Sequence, residues 1–306
     1  MVLSYLVRRL YHSIFVLAGL IVVVFLVTHV VGDPARLMLR PEAPREQYEA
    51  LREQLGLNDP LHVQFGRFVG QLARGDFGDS IWQRVPAFPL VLQRLPATLI
   101  LAAATIALAL PLGILLGTAS ALRPRSLVDR FIAVLSLGGI STADFWLGFM
   151  LILVFAVELG WLPTSGYGGV EYIVLPTLAL AFRPLGRISQ LTRSTMLDEL
   201  SKAYVHTARA KGLAERTVVF YHVLKNAAIP IVTLTADEAA ALLNGAVVIE
   251  TVFGWPGVGV LLVQAIEHRD FPLVQASVFV IAGMVILLNL LVDFVYTLLD
   301  PRVRYA

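Results

Sequence analysis

The chain has 306 residues, 57% hydrophobic and 15% charged, with a mean hydropathy of +0.75; soluble domains carry roughly 25% charged residues, so this composition is that of a membrane protein. A net charge of +2 supplies no basic field for nucleic acid, and the absence of cysteine excludes disulfides, thiolate metal sites and cysteine nucleophiles. The six histidines show no HExxH spacing, and none of the three lysines ends a GxxxxGKS/T loop. This chain is therefore expected to hold no catalytic residue, no metal and no nucleotide of its own.

A helix needs about 20 apolar residues to cross ~30 Å of hydrocarbon. Six runs qualify, at approximately residues 10–31, 97–122, 131–157, 172–191, 229–253 and 275–299. The first follows Arg8 and Arg9 like a secretory signal, but it is longer than an h-region of about 7 to 15 residues and lacks a small-x-small cleavage site, so it is expected to be retained. Thirteen basic residues (8, 9, 123, 125, 130, 193, 202, 209, 211, 216, 225, 302 and 304) flank short loops on one side of these spans, against Arg269 alone on the other. Both termini are accordingly expected to be cytoplasmic. The expected fold is an all-α polytopic membrane protein with six transmembrane helices and a helical extracytoplasmic segment between helices 1 and 2.

Three regions follow: an N-terminal transmembrane helix (1–31), the extracytoplasmic segment (32–96) and a five-helix core (97–306). In the second region, Arg45 to Leu55 favours helix and Gly56 stops it. Asp59-Pro60 then signals a second helix ending near Gly75, and GDFGDS (75–80) reads as a turn. The segment serves either as a solvated connector or as a docking surface for an external partner.

Residues 192–228 form the longest cytoplasmic stretch, yet they contain no proline and only one glycine, Gly212. A short helix over Ala203 to Ala210, a break at Gly212 and a second helix over Glu215 to Ala227 make a protruding knob, unless the stretch is a plain surface hairpin. The string YVHTARAKGLAERTVVFYHVLKNAAIPIVT (204–233) resembles the EAA loop of ABC importer permeases, in the form found in the dipeptide, oligopeptide, nickel and glutathione permeases. GDPA (32–35), LGLNDP (55–60), GDFG (75–78), WPGVG (255–259) and LDPRVRY (299–305) extend the resemblance over the whole chain. His206 stands where the general motif has Glu, and the interval from Gly212 to Pro230 is longer than in the general form, although both look normal for the peptide branch.

The resemblance implies a type I ABC importer permease fold in the bacterial inner membrane. It implies a second homologous permease, making a heterodimer, together with an extracytoplasmic binding protein and two ATPase subunits that carry ATP and Mg. Contacts to the ATPase are expected from Ala203, Tyr204, His206, Thr207, Ala208, Arg209, Ala210, Lys211, Gly212 and Glu215, with Ala208 and Gly212 foremost. The small residues permit close approach and the charges can pair around a groove.

Charged residues within a span cost about 2.5 to 3.5 kcal/mol each and should face the bundle interior or water. Arg183 should lie ~15 Å below the outer surface, and Asp237 and Glu238 ~12 Å above the inner one, which makes Arg183 a pairing partner for either. Asn244, Glu250 and Asn289 complete the expected translocation-path residues. Asp293 shares a face with Asn289, and Gly245 permits close backbone approach. Trp146, Trp161, Tyr167, Tyr172 and Trp255 fit interfacial belts. Translocation of dipeptides or oligopeptides by alternating access is the leading reading, with glutathione, nickel or an opine as other cargoes. An ion-coupled secondary transporter using Asp237 or Glu238 lacks visible inverted repeats, and an intramembrane enzyme lacks a catalytic motif.

Overall fold

The computed structural model describes residues 2–26, 39, 44–54 and 56–299; GDPA at 32–35 and the residues from 300 onward lie outside that description. The described helices are α1 (Val2–Leu26), α2 (Arg45–Gln54), α3 (Leu61–Ala73), α4 (Ala87–Leu122), α5 (Leu127–Ser141), α6 (Asp144–Leu151), α7 (Val170–Leu200), α8 (Ala203–Ala210), α9 (Leu224–Phe253), α10 (Val258–Glu267) and α11 (Phe271–Leu299). Helix α6 continues as a π-helical segment, Ile152–Glu158, and a second one, Val218–Val223, leads into α9. The chain forms two compact units, one built on Ala97–Pro256 and the other on Leu3–Pro96 with Gly257–Leu287.

Three helical stretches are long and apolar enough to cross a membrane: Ala87–Leu122, Glu215–Leu243 and Phe271–Val292. Two bent pairs, Leu127–Ser141 with Asp144–Glu158 and Gly245–Phe253 with Val258–Glu267, raise the number to as many as five. The expected third span is thus not one rod: it bends by 107° at Thr142 and Ala143. The fourth expected span, inside α7, carries Arg183, Arg187 and two internal prolines, Pro176 and Pro184, which lower its apolar character.

In the first unit α7 is the central helix, packed against α5, α6 and α9. Glycines set its spacing to the neighbours. A Cβ on Gly139 of α5 would strike the carbonyl of Phe182, and one on Gly186 of α7 would strike the carbonyl of Ser136. On α4, a Cβ at Gly117 would meet the Ser189 carbonyl at 2.5 Å. Backbones therefore touch where hydrophobic association is weak, because surrounding lipid is as apolar as the helices.

The second unit confirms the expected local signals. Helix α2 covers Arg45–Gln54, Gly56 takes φ +65°, and α3 ends at Ala73 with Gly75 at φ +70°. Gln64 is buried and donates to the carbonyls of Leu57 and Asp59 at 3.0 and 2.7 Å, which fixes the turn into α3. Phe25 packs edge-on to Phe65 at 5.2 Å, and Phe77 stacks on Phe88 at the same separation. Asp270, fully buried, caps α11 through Leu273 N and accepts bonds from Ser80 Oγ at 2.5 Å and Trp82 N at 3.0 Å.

Adjacent glycines on α5 supply a test of the packing. Gly139→Ala should lower thermal stability in detergent by about 1 to 3 kcal/mol, because the new methyl strikes backbone, whereas Gly138→Ala, with nothing within 4 Å of its Cβ, should be neutral. Equal melting of the two variants would contradict the close approach.

Candidate functional site

The knob forms as its sequence requires. Helix α8 ends where Gly212 turns left-handed at φ +77°, a conformation that suits a residue without Cβ. Gly212 N then bonds the Arg209 carbonyl at 2.9 Å, and the chain resumes helix at Glu215. Arg209 spans the turn, donating Nε and Nη2 to the Glu215 carboxylate at 3.1 and 2.6 Å. At the other end Glu199 accepts bonds from Lys202 Nζ at 2.5 Å and Tyr204 Oη at 2.7 Å. Both ends of an eight-residue helix are thereby clipped.

Packing fixes which way α8 faces. Val205 and Ala208, three apart, turn inward against Val218, Val219 and Val223 of the π-helical segment and Ala227 and Ile231 of α9. Ala208, expected to touch a partner, is thus 8% exposed and belongs to the core; with Val205 it supplies the apolar stripe that seats the helix. The opposite face is open and carries Ala203, His206, Thr207 and Ala210, followed by Lys211 and Gly212. Tyr204 is half-buried at the edge.

Burial raises the Glu199 carboxyl, but its bonds from Lys202 and Tyr204 overcome this and leave it below the usual carboxylate range. Such a group contributes stability that is present above its unfolded value, about 4.3, and lost as pH falls through the lower folded value. The Glu199→Gln protein should therefore show a smaller loss of thermal stability than wild type between about pH 5 and pH 3, by up to ~1 kcal/mol for so exposed a clip. An identical acid loss in both would show that the clip adds nothing.

Three arginines of α7 each meet a carboxylate from a different element. Arg193 grips Asp129 of α5 with both Nε and Nη2, at 2.7 and 2.9 Å. Ser120 Oγ and Arg125 N also donate to Asp129, at 2.5 and 2.8 Å, and Ser126 caps α5 through Asp129 N. Arg187 pairs with the buried Glu238 of α9. Arg183 lies 3.6 Å from Asp144, in the first turn of α6. The expected pairing of Arg183 with Asp237 or Glu238 is corrected accordingly: Glu238 is taken by the arginine one turn further on, and Arg183 meets a carboxylate supplied by the broken span. Asp237 is exposed on α9 beside Glu238.

Glu250, expected in the path, is fully buried; it accepts from Thr98 Oγ1 at 2.6 Å, and its carbonyl accepts from Trp255 N at 2.8 Å. Trp255 is not interfacial either: it is 3% exposed and donates Nε1 to the Ala97 carbonyl at 2.9 Å. Asn289 is exposed on α11. The side chains of Asn244 and Asp293 lie outside the described residues. Asp129 escaped the sequence reading, although Ser126-x-x-Asp129 resembles a capping box and could have placed it.

Two family models match the chain: the binding-protein-dependent transport system inner membrane component over residues 109–305, and its N-terminal counterpart over residues 2–102. A probable peptide ABC transporter permease of Sinorhizobium fredii, y4tP, is 40% identical, with 98% of this chain and 99% of that protein covered. The glutathione transport system permease GsiC of Salmonella typhimurium is 41% identical over 99% of both chains, and the oligopeptide transport system permease AppB of Bacillus subtilis is 37% identical over the same shares. A crystal structure of an amino acid ABC transporter matches the fold with TM-score 0.54 at 15% identity, covering 68% of this chain and 94% of that one. The chain belongs to the family of inner-membrane permease components of binding-protein-dependent ABC transport systems.

Removing Arg187 leaves the buried Glu238 carboxylate without its partner. Arg187→Leu should accordingly cost about 1 to 3 kcal/mol of stability in detergent, less than for a fully buried pair because the guanidinium is half-exposed, and Arg187→Leu combined with Glu238→Leu should recover most of it. A double variant as unstable as the single one would show that the pair is not the source of the loss.

Proposed function

We propose that this chain translocates dipeptides or oligopeptides across the bacterial cytoplasmic membrane, as one of two related permeases served by two ATPase subunits and an extracytoplasmic binding protein. The clipped α8 knob is the observation that carries this reading. A rigid, low-profile helix end can insert in a groove of another subunit and transmit displacement without dissipating it. Its open face of Ala203, His206, Thr207 and Ala210, with Lys211 and Gly212, is the contact, while Arg209, Glu215, Tyr204 and the inward Ala208 hold its shape.

In this reading the chain has six spans and both termini in the cytoplasm, with residues 1–31 as the first span, 32–96 outside and 97–306 as the core. ATP and Mg stay on the partner subunits. Arg183, Asp237, Glu238, Asn244 and Asn289 border the path. Glutathione is the second cargo, favoured by the relatives at 41% identity whose names carry it.

The test is ATP-driven uptake of a labelled dipeptide, of glutathione and of nickel by the reconstituted importer. Peptide uptake should exceed nickel uptake, and Gly212→Val, forced into a left-handed conformation, should reduce uptake at least about tenfold. Full uptake by Gly212→Val would exclude α8 as the coupling element, and wild-type uptake of nickel alone would overturn the peptide reading.

A further inference from the structure

Irregular backbone at membrane depth is tolerated only where protein buries it or where it lines a water-filled cavity. The break at Thr142 and Ala143 interrupts an otherwise apolar bent pair, and Ser141 and Ala143 are exposed there. Asp144, the first residue after the break, is the carboxylate that faces Arg183.

The two arginines of this region share a second feature. Arg183 and Arg187, four apart and on one face of α7, are 44% and 49% exposed, while their partners Asp144 and Glu238 are 18% and 4% exposed. The carboxylates thus stand behind and the guanidiniums in front. At 3.6 Å the Arg183–Asp144 contact is a charge contact longer than a normal hydrogen bond. A guanidinium has five N–H donors in a planar fork that matches a carboxylate. Lipid is excluded as the neighbour of two half-exposed cations in a span, which leaves water or protein.

We propose that Arg183 and Arg187, backed by Asp144 and Glu238 at the break between α5 and α6, form a station in the path that binds the free carboxylate of the passing solute. This inference rests on the peptide reading and gives that path a chemical preference: the C-terminal carboxylate of a peptide is held while the rest of the chain varies. Arg183, the more loosely paired of the two, takes the ligand; Arg187, tied to a buried carboxylate, positions it. Asp144 and Glu238, one behind each guanidinium, balance the two cations and keep the station from trapping anions.

The experiment uses the complete importer in proteoliposomes with loaded binding protein, and reads peptides carried per ATP hydrolysed. Arg183→Gln should lower that ratio about tenfold, and Arg183→Lys, which keeps the charge, should restore at least half of it. A structural role, or a pairing of Arg183 with the second permease, would instead lower ATP turnover and uptake together and leave the ratio unchanged, which overturns the proposal. A dipeptide with a photoreactive C-terminal residue should label residues 138–148 or 179–190 in wild type, and far less in Arg183→Gln. Stronger labelling of these segments by the same probe placed at the N-terminal residue would also overturn it. Failure of the wild-type importer to carry any peptide is visible without a variant and removes the peptide reading, and the station with it.

Discussion

A guanidinium held among packed helices must be answered by a carboxylate or by water, and α7 carries three arginines in eleven residues. Arg183, Arg187 and Arg193 are met by Asp144, Glu238 and Asp129. Because those acids sit on α6, α9 and α5, charge neutralisation also fixes which helices surround α7 and at what rotation. Hydrophobic packing alone gives no such specification in lipid. The glycine contacts at Gly139 and Gly186 bring α5 against α7, the same two helices that Arg193 and Asp129 join.

The three pairs differ in a way that suits their positions. Asp129 satisfies its oxygens with Arg193, Ser120 and the Arg125 amide, so this end of α7 is locked to α5 and to the end of α4. Arg187 is bound to a carboxylate that is almost inaccessible. Arg183 is held least firmly, next to the only break in α5–α6. Pairing is therefore loosest at the break end of α7, and the loosest charge is the one placed where the backbone is irregular.

Much of this was legible from local signals. Helix α8 with its boundaries, the break at Gly212, and the turns at Gly56 and Gly75 each rest on propensity and left-handed glycine chemistry, which a sequence displays directly. The ion-pair partners were not legible, because residues 183 and 187 lie one turn apart and depth alone cannot choose between them; rotation about three helix axes decides. The 107° bend was missed for another reason: Ser141-Thr142-Ala143-Asp144 contains neither glycine nor proline, and an apolar run on both sides reads as one span. The burial of Ala208 was not legible because smallness suits a docking surface and a tight core equally, and only the packing of the π-helical segment separates the two.

A continuous packed route joins the knob to the charges of α7. Val205 and Ala208 rest on Val218, Val219 and Val223, and the same core holds Ile231, Ile188 and Met196. Thr235 Oγ1 bonds the Ile231 carbonyl at 2.8 Å, and Glu238 follows one turn later to meet Arg187. Close-packed interiors shift between discrete arrangements rather than deform smoothly. A push on α8 in the importer reading therefore moves the start of α9 as a body, and Glu238 moves with it. Arg187 must either follow, carrying α7, or leave the buried Glu238 without its partner. Following is the cheaper course, so in that reading the ion pair acts as a drag link, and the station proposed at Arg183, on the same helix, shifts with the knob.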